Sequence, residues 1–352
     1  MLFLRIILIP LLPVYKLVIW LRNYLFDRYI FKAENVDARV ISVGNITVGG
    51  SGKTPAVIYL TELLKSKGFK PGVLSRGYRR KSSGYKLVSD GSSINCSVRN
   101  CGDEIIITAL ECKVPSAVCE KRVEGAKKLL RDSSVNTIVL DDAFQHRWIH
   151  RDLDVVVFDQ RFLMKAGGID QNLLPLGLMR ETFKSLKRAD LIIINRKFSE
   201  ELPLPLRLRE YFDNKKIFTA YYRTAGMFDV KDHQYYDINE FRGQKSLLVS
   251  GIARPYSFIN VLKQNNIDTE NQMIFTDHKD YTHKEVELIR KKFYSTNSHS
   301  VITTEKDAVK LREFKNELDD IDIYYLKIQM EIDNQEGFSS YIMDKLKLVS
   351  IK

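Results

Sequence analysis

The feature that most constrains the fold is a glycine-rich stretch, SVGNITVGGSGKTP (residues 42–55), which lies between two segments of different character. The apolar run RVISV (39–43) leads into it, and KTPAVIYLTELLKSKG, with apolar residues at helical spacing, follows it. A strand, a glycine loop and a helix in this order form a phosphate cradle, because backbone N–H groups and the helix N-terminus face the anion. The usual pattern, G-x-x-x-x-G-K-[ST], has glycine where this chain has Thr47. The stretch therefore predicts a phosphate-binding loop with an atypical first position.

Short apolar runs alternate with helical patterns along most of the chain. They lie at residues 39–43, 71–75, 115–119, 136–140, 154–158 and 190–195, and again at 245–253, 272–277, 300–305 and 322–331. Such alternation predicts parallel sheets covered by helices. We therefore expect an α/β protein with a P-loop NTPase-like parallel sheet domain at 31–220 and a second, smaller α/β domain at 221–352. The segment NKKIFTAYYRTAG, near the boundary, is expected to be an extended connector.

The N-terminal segment, MLFLRIILIPLLPVYKLVIWLRNYLF, is strongly apolar. Arg5, Lys16 and Arg22 divide it into runs shorter than the roughly 20 apolar residues of a spanning helix, and two prolines interrupt it. It also lacks the small-residue cleavage site of a secretory signal. We predict that residues 1–30 form a membrane-binding helical segment that lies in the membrane surface. The alternative, a helix packed on the protein's own core, would usually have a more polar face.

The formal net charge of +11 indicates an anionic partner, such as a nucleic acid, an acidic membrane or a phosphorylated substrate. A nucleic-acid binder would be expected to carry a basic stripe interleaved with aromatic residues, which this chain lacks. Nucleic-acid binding would also leave the glycine loop unexplained. We therefore expect no nucleic-acid partner.

Polar residues near the loop and after a later strand indicate phosphate chemistry. Lys53 is predicted to reach the outer phosphates and Thr54 to hold Mg²⁺. Asp141 and Asp142 directly follow the apolar run NTIVL, where two adjacent acids are costly unless they bind metal or cap a turn.

A kinase also needs a group that accepts the proton of the attacking hydroxyl. Two clusters offer one: CGDEIII, with Asp103 and Glu104, and FTDHKDYT, with Asp277 and His278. Taken singly, each cluster is more typical of a helix start or a solvated loop. Arginines in turns, including Arg122 and Arg180, suit phosphate recognition, although most arginines of a basic protein serve surface solvation.

Eight motifs together resemble one family. In order, they are VGNITVGGSGKTP, LSRGYRR, GDE, LDDAFQHR, LLPLGLMRE, SGIARPYSF, FTDHKDYT and TTEKDAVK. The set resembles the tetraacyldisaccharide 4'-kinases of lipid A biosynthesis, from the N-terminal apolar segment to about residue 310. That family carries threonine at the first loop position, so Thr47 is a feature shared with the family rather than a defect of the loop.

The resemblance implies transfer of the γ-phosphate of ATP, with Mg²⁺, to the 4'-hydroxyl of tetraacyldisaccharide 1-phosphate, a lipid substrate. The product would be lipid IVA. It also implies a peripheral or monotopic position at the cytoplasmic face of the inner membrane.

The resemblance further implies roles for individual residues, with Asp103 as general base paired with His278, and with Lys53 on the phosphates. The implied ATP loop is Thr47, Val48, Gly49, Gly50, Ser51, Gly52, Lys53 and Thr54; the implied metal contacts are Thr54, Asp141, Asp142 and Glu181; the implied cleft residues are Tyr78, Glu104, Arg122, Gln145, His146 and Arg180. Two positions depart from the family. Ala143 replaces a usual glycine, and Lys279 stands where a second histidine often follows the DH pair.

The alternative hypothesis is a membrane-associated, nucleotide-hydrolysing P-loop switch protein. A guanine-specific switch would need an N-K-x-D motif after a late strand. The nearest candidates, NRKF (195–198) and TEKD (304–307), do not supply it. The resemblance therefore favours the lipid kinase.

Overall fold

The computed structural model describes residues 8–165, 167–277 and 279–347. Contacts between residues divide the chain into two compact units. Within the described residues, the first unit takes in Met1–Cys96, Thr108–Tyr222 and Met330–Lys352, and the second takes in Ser97–Ile107 and Arg223–Gln329. The domain ranges given above stay a prediction.

The strands and helices are numbered in chain order. The strands are β1 (Arg39–Gly44), β2 (Pro71–Ser75), β3 (Lys86–Asp90), β4 (Pro115–Val118), β5 (Thr137–Asp141), β6 (Leu153–Asp159), β7 (Leu191–Lys197), β8 (Lys216–Asp229), β9 (Tyr235–Tyr236), β10 (Ser246–Ser250), β11 (Asn271–Ile274), β12 (Ser300–Thr304) and β13 (Ile323–Ile332). The helices are α1 (Leu12–Asp27), α2 (Lys53–Ser66), α3 (Val98–Cys101), α4 (Asp103–Cys112), α5 (Arg122–Asp132), α6 (Gln160–Met164), α7 (Arg209–Phe212), α8 (Pro255–Gln264), α9 (His283–Ser295), α10 (Glu305–Leu311) and α11 (Gln335–Lys347).

The first unit is built on a mostly parallel sheet with the strand order β8-β7-β6-β1-β5-β2-β4-β3. Among the described strands of this unit, β3 runs antiparallel to its neighbour β4. The central strands are apolar and fully buried, as expected for a parallel sheet covered on both faces. The predicted parallel α/β fold is confirmed.

Strand β1 occupies the point where the sheet changes direction. The chain moves to one side of β1 for β2 to β5 and to the other side for β6 to β8. Ligands of open α/β sheets bind at the carboxyl edge next to such a point. Val43 pairs in register with Asp141, so the glycine loop after β1 and the acids after β5 leave the sheet at the same edge.

In the second unit, parallel pairing gives the strand order β11-β10-β12-β13. The two faces of these strands bury different side chains, because alternate residues of a strand point to opposite faces. Leu247 packs with Val286 of α9, whereas Leu248 packs with Leu262 of α8. The predicted extended connector is strand β8, whose last residues pair antiparallel with β9.

Helix α1 follows a short 3-10 turn at Ile9–Leu11, and Pro13 lies in its first turn, where proline is tolerated. Arg22 and Asp27 hold the helix to the rest of the first unit by ion pairs: Arg22 with Glu181 at 3.0 Å, and Asp27 with Arg147 at 2.8 Å and with Lys187 at 2.7 Å. The first seven residues of the predicted membrane-binding segment lie outside the described residues.

Most of the exposed side chains of the helix are apolar. Its exposed large side chains, with those of the turn before it, are Ile9, Leu11, Val14, Leu17, Val18, Trp20, Leu21 and Tyr24. No helix in the described part of the chain combines the length and apolar character needed to cross a membrane.

A substitution at Gly125 tests how closely α5 packs on the sheet. A Cβ at this position would lie 2.6 Å from Cys119 Cβ and 3.0 Å from Leu74 Cδ1. We expect Gly125→Ala to lower the free energy of unfolding by about 1–3 kcal/mol, because overpacking outweighs the better helix propensity of alanine. Urea unfolding measures this, with Lys127→Ala on the exposed side of the same helix as the control. A Gly125→Ala protein as stable as the parent would contradict this packing.

Candidate functional site

Hydrogen bonds from within the loop and from a neighbouring strand hold the glycine loop. Asn45 Nδ2 donates to Ser51 Oγ at 3.0 Å and to Thr47 Oγ1 at 3.3 Å. Asn195, fully buried in β7, donates from Nδ2 to the carbonyl oxygen of Ser51 at 3.1 Å. These bonds fix the loop between β1 and α2 without using the N–H groups that an anion would need.

The glycines of the loop are needed for different reasons, which are backbone conformation and the space around each residue. Gly49 and Gly52 adopt φ values of +104° and +100°, which favour glycine. A Cβ at Gly52 would lie 2.2 Å from Asn195 Nδ2 and 2.6 Å from Tyr222 Oη. A Cβ at Gly50 would meet no atom within 4 Å. Packing therefore demands glycine at position 52, whereas the space at position 50 is left open by the protein, as a loop that approaches a phosphate requires.

Lys53, Asp142 and Arg180 form a charged group beside the loop. Lys53 Nζ lies 3.8 Å from Asp142 Oδ1, and Arg180 Nη1 lies 3.0 Å from both carboxylate oxygens. Arg180 also donates to Gln145 Oε1 at 3.3 Å. Burial raises the pKa of Asp142, but Lys53 and Arg180 outweigh it, so that the pKa is lowered. Asp142 is therefore ionised at neutral pH, and these four predicted site residues lie together.

Asp141 and Arg122 form a second cluster at the end of β5. Ser75 Oγ donates to Asp141 Oδ2 at 3.1 Å. Arg122 is buried and donates to the carbonyl oxygens of Cys119, at 2.9 Å, and Asp141, at 3.4 Å. Burial lowers the pKa of Arg122 to about 10, against the opposing effect of Asp141, so the side chain stays charged. Burial also lowers the pKa of His146 to about 4, and nearby arginines add to this, so His146 is neutral at pH 7.

Glu181, a predicted metal contact, is buried between two arginines. Its Oε1 lies 3.0 Å from Arg22 Nη2, and its Oε2 lies 2.6 Å from Arg188 Nη2. Both carboxylate oxygens are thus engaged with guanidinium groups, an arrangement that favours a structural role in holding α1. Metal contact by Glu181 stays a prediction. Within the described residues, no group of three or more His, Cys, Asp and Glu side chains is arranged to hold a metal ion.

The residues present nevertheless fit Mg²⁺ and the nucleotide phosphates that the family implies. Proteins usually bind Mg²⁺ through one or two carboxylates together with substrate phosphates and water. Asp141 offers a carboxylate at the carboxyl edge of the sheet, and Thr54 offers a hydroxyl at the N-terminus of α2. The loop adds backbone N–H groups and Lys53.

Asp103 and Glu104 begin helix α4 and belong to the second unit. Lys310 Nζ lies 3.3 Å from Asp103 Oδ2, with both side chains buried. Lys306 Nζ lies 2.6 Å from Glu104 Oε1. His278 lies outside the described residues, so its predicted pairing with Asp103 stays a prediction. Tyr78, also predicted to line the cleft, belongs to the first unit and is 57% exposed.

Three residues make contacts that support the candidate site, although the sequence predicted no role for them. Asn195 is the first residue of NRKF, which does not match the guanine-specific motif. A polar residue after the apolar run LIII could nevertheless have indicated a position at the site. Lys306 and Lys310 lie in TTEKDAVK, which contributed to the family resemblance without a role for either lysine. Their acidic partners are about 200 residues away in the sequence, at positions 103 and 104.

Comparisons with known proteins agree with this geometry. The sequence model of the family described as tetraacyldisaccharide-1-P 4'-kinase matches residues 4–347. The tetraacyldisaccharide 4'-kinase of Phocaeicola vulgatus is 35% identical, over 96% of this chain and 94% of the relative. The enzyme of that name from Aquifex aeolicus is 32% identical, over 96% of this chain and 98% of the relative.

A solved structure is also similar. The crystal structure of LpxK from Aquifex aeolicus in complex with ATP matches with a TM-score of 0.81 and 30% identity, over 97% of this chain and 99% of that one. Because the family's sequence model covers nearly the whole chain and full-length relatives share about a third of its residues, the chain belongs to the tetraacyldisaccharide-1-P 4'-kinase family.

Proposed function

We propose that this protein transfers the γ-phosphoryl group of ATP, with Mg²⁺, to the 4'-hydroxyl of tetraacyldisaccharide 1-phosphate, giving lipid IVA. The observation that carries the proposal is the glycine loop with Lys53 beside the Asp142–Arg180 pair, at the carboxyl edge of a parallel sheet. Membership of the kinase family selects phosphoryl transfer over the switch-protein alternative.

The first unit binds and orients the phosphates. The loop N–H groups, the N-terminus of α2 and Lys53 take the phosphate oxygens, and Asp142 holds the Lys53 ammonium in place. Thr54 and Asp141 would hold Mg²⁺, which offsets negative charge on the phosphates. Arg180 donates to both oxygens of Asp142 and so fixes the carboxylate that Lys53 contacts.

Asp103 serves as the general base. It accepts the proton of the 4'-hydroxyl as the bond from that oxygen to the γ-phosphorus forms and the bond from the γ-phosphorus to the bridging oxygen breaks, which releases ADP. His278 is proposed to pair with Asp103. The remaining predicted cleft residues are also proposed to contact substrate or nucleotide: Tyr78, Glu104, Arg122, Gln145 and His146.

Transfer of label from ATP to lipid tests the proposed activity. Purified protein in detergent, given γ-labelled ATP or GTP and tetraacyldisaccharide 1-phosphate, should label the lipid from ATP. Lys53→Ala and Asp103→Ala should each lower kcat by about 10²-fold or more, because they remove charge stabilisation and the proton acceptor. Both variants should keep the parent's circular dichroism spectrum. Hydrolysis of GTP with no labelled lipid would support the switch protein instead.

The open space at Gly50 gives a second test. Gly50→Ala should fold with an unchanged melting temperature, because a Cβ there meets nothing in the protein. It should weaken ATP binding about tenfold, because the backbone can no longer approach a phosphate closely. Calorimetric titration of an ATP analogue measures the affinity. Unchanged affinity in a folded Gly50→Ala protein would count against phosphate binding at this loop.

We further propose that the protein binds the surface of the inner membrane at its cytoplasmic face, through α1. One side of the helix is tied to the first unit by Arg22 and Asp27, which leaves its apolar side exposed. A helix of this kind buries its apolar face at the headgroup boundary, and basic residues add attraction to anionic lipid. The acyl chains of the proposed substrate lie in the same surface.

Charged substitutions on α1 test this membrane contact. Leu17 and Trp20 are 59% and 58% exposed, and Leu288, on α9 of the second unit, is 42% exposed. We expect the double variant Leu17→Glu, Trp20→Glu to lose at least about tenfold in partition to anionic vesicles, since burial of each side chain contributes about 1.5–3 kcal/mol. Leu288→Glu is the matched control and should sediment with vesicles as the parent does. Equal sedimentation of the double variant would contradict the proposal.

A further inference from the structure

A buried lysine in the second unit contacts two segments that are far apart in the sequence. Lys310 is 7% exposed, and its Nζ lies 3.3 Å from Oδ2 of Asp103, which is 5% exposed. The same Nζ donates to the carbonyl oxygen of Lys279 at 3.3 Å. Lys279 is the residue after His278. One ammonium group therefore ties the acid of the GDE motif to the backbone of Lys279.

Helix α10, which carries Lys310, is itself fixed at its start. Thr304 caps the helix, and its Oγ1 accepts from the N–H of Asp307. Asp307 is fully buried and accepts from Gly251 N at 2.9 Å and from Tyr281 Oη at 3.1 Å. Tyr281 ends the same loop that Lys279 belongs to. The helix thus cannot turn or slide without breaking buried hydrogen bonds at both the end of β10 and this loop.

A second lysine of helix α10, Lys306, pairs with the acid next to Asp103. It lies one helical turn before Lys310 and pairs with Glu104 at 2.6 Å, so that the two adjacent acids have separate cationic partners. A buried carboxylate needs such a partner, because leaving its charge uncompensated in a low-dielectric site is costly.

We propose that Lys310 is a positioning residue for the reaction: its ammonium holds the Asp103 carboxylate against the backbone of Lys279, in one fixed arrangement from which Asp103 accepts the substrate proton. This inference rests on the proposed function, since it takes Asp103 as the general base. Lys310 contacts the Asp103 carboxylate and the carbonyl oxygen of Lys279, so the proposed role is to orient the base. Its contribution is therefore to kcat, through the orientation of the base, rather than to nucleotide binding.

Lys310→Met tests this role, because it keeps the length and apolar stem of the side chain and removes the ammonium. We expect kcat to fall about tenfold to a hundredfold, as misplacement of a catalytic group does, while the KM for ATP stays within about twofold. Lys310→Arg, which restores a cation, should recover most of the lost kcat. Lys231→Met is the matched control in the same unit, since Lys231 Nζ also donates to a backbone carbonyl, that of Asp319 at 2.9 Å.

A double-mutant cycle separates positioning from general stabilisation. With Asp103→Ala already present, Lys310→Met should cause no further loss of kcat, because there is no longer a base to position. If the two losses multiply, or if Lys310→Met alone keeps the parent's kcat, the inference is wrong. If Lys310→Met melts more than about 5 °C below the parent, Lys310→Arg is compared with Lys310→Gln at lower temperature. Equal kcat in those two variants would also overturn it.

Failure of this inference differs from failure of the proposed function. A fully active Asp103→Ala protein would remove Asp103 as the base, whatever Lys310 does. An inactive Asp103→Ala protein together with a fully active Lys310→Met protein would leave the proposed function intact and remove only the role of Lys310.

Discussion

At Gly52 the backbone of the glycine loop passes so close to Asn195 and Tyr222 that no side chain has room. Asn195 uses this proximity to donate to the carbonyl oxygen of Ser51, which orients the peptide just before Lys53. This contact fixes the loop immediately before the start of α2, where Lys53 lies. Because β7 is a buried interior strand of the sheet, its hydrogen bond attaches the loop to a rigid part of the core.

The second requirement of the site is charge balance. Asp142 is ionised because Lys53 and Arg180 outweigh the cost of its burial, and Arg122 stays charged beside Asp141 despite complete burial. Arg180 and Glu181 are adjacent in the sequence and connect the site to α1. Arg180 pairs with Asp142, and Glu181 pairs with Arg22 of that helix. The helix proposed to meet the membrane is therefore anchored next to a residue that holds Asp142. This connection would place the proposed membrane contact close to the phosphate site.

The sequence predicted the strands well because interior strands of a parallel sheet are short apolar runs bounded by turn residues. The run at 71–75 coincides with β2, and the alternation of strands and helices was sufficient for the fold class. The residue patterns supplied Asp142 and Arg180 as candidates, but not their pairing, which joins residues 38 positions apart. The roles of Asn195 and Lys310 depend on partners even more distant in the sequence. A linear pattern also could not show that Ser97–Ile107 packs with the second unit.

The central claim is that the phosphate held by the glycine loop is delivered to the 4'-oxygen of the lipid. The most direct measurement is to isolate the lipid product formed with ATP and Mg²⁺ and to locate its new phosphate by ¹H–³¹P correlation NMR. We expect one added phosphate monoester, with its phosphorus coupled to the proton at the 4' carbon. A phosphate on another hydroxyl, or a pyrophosphate formed on the existing 1-phosphate, would contradict it.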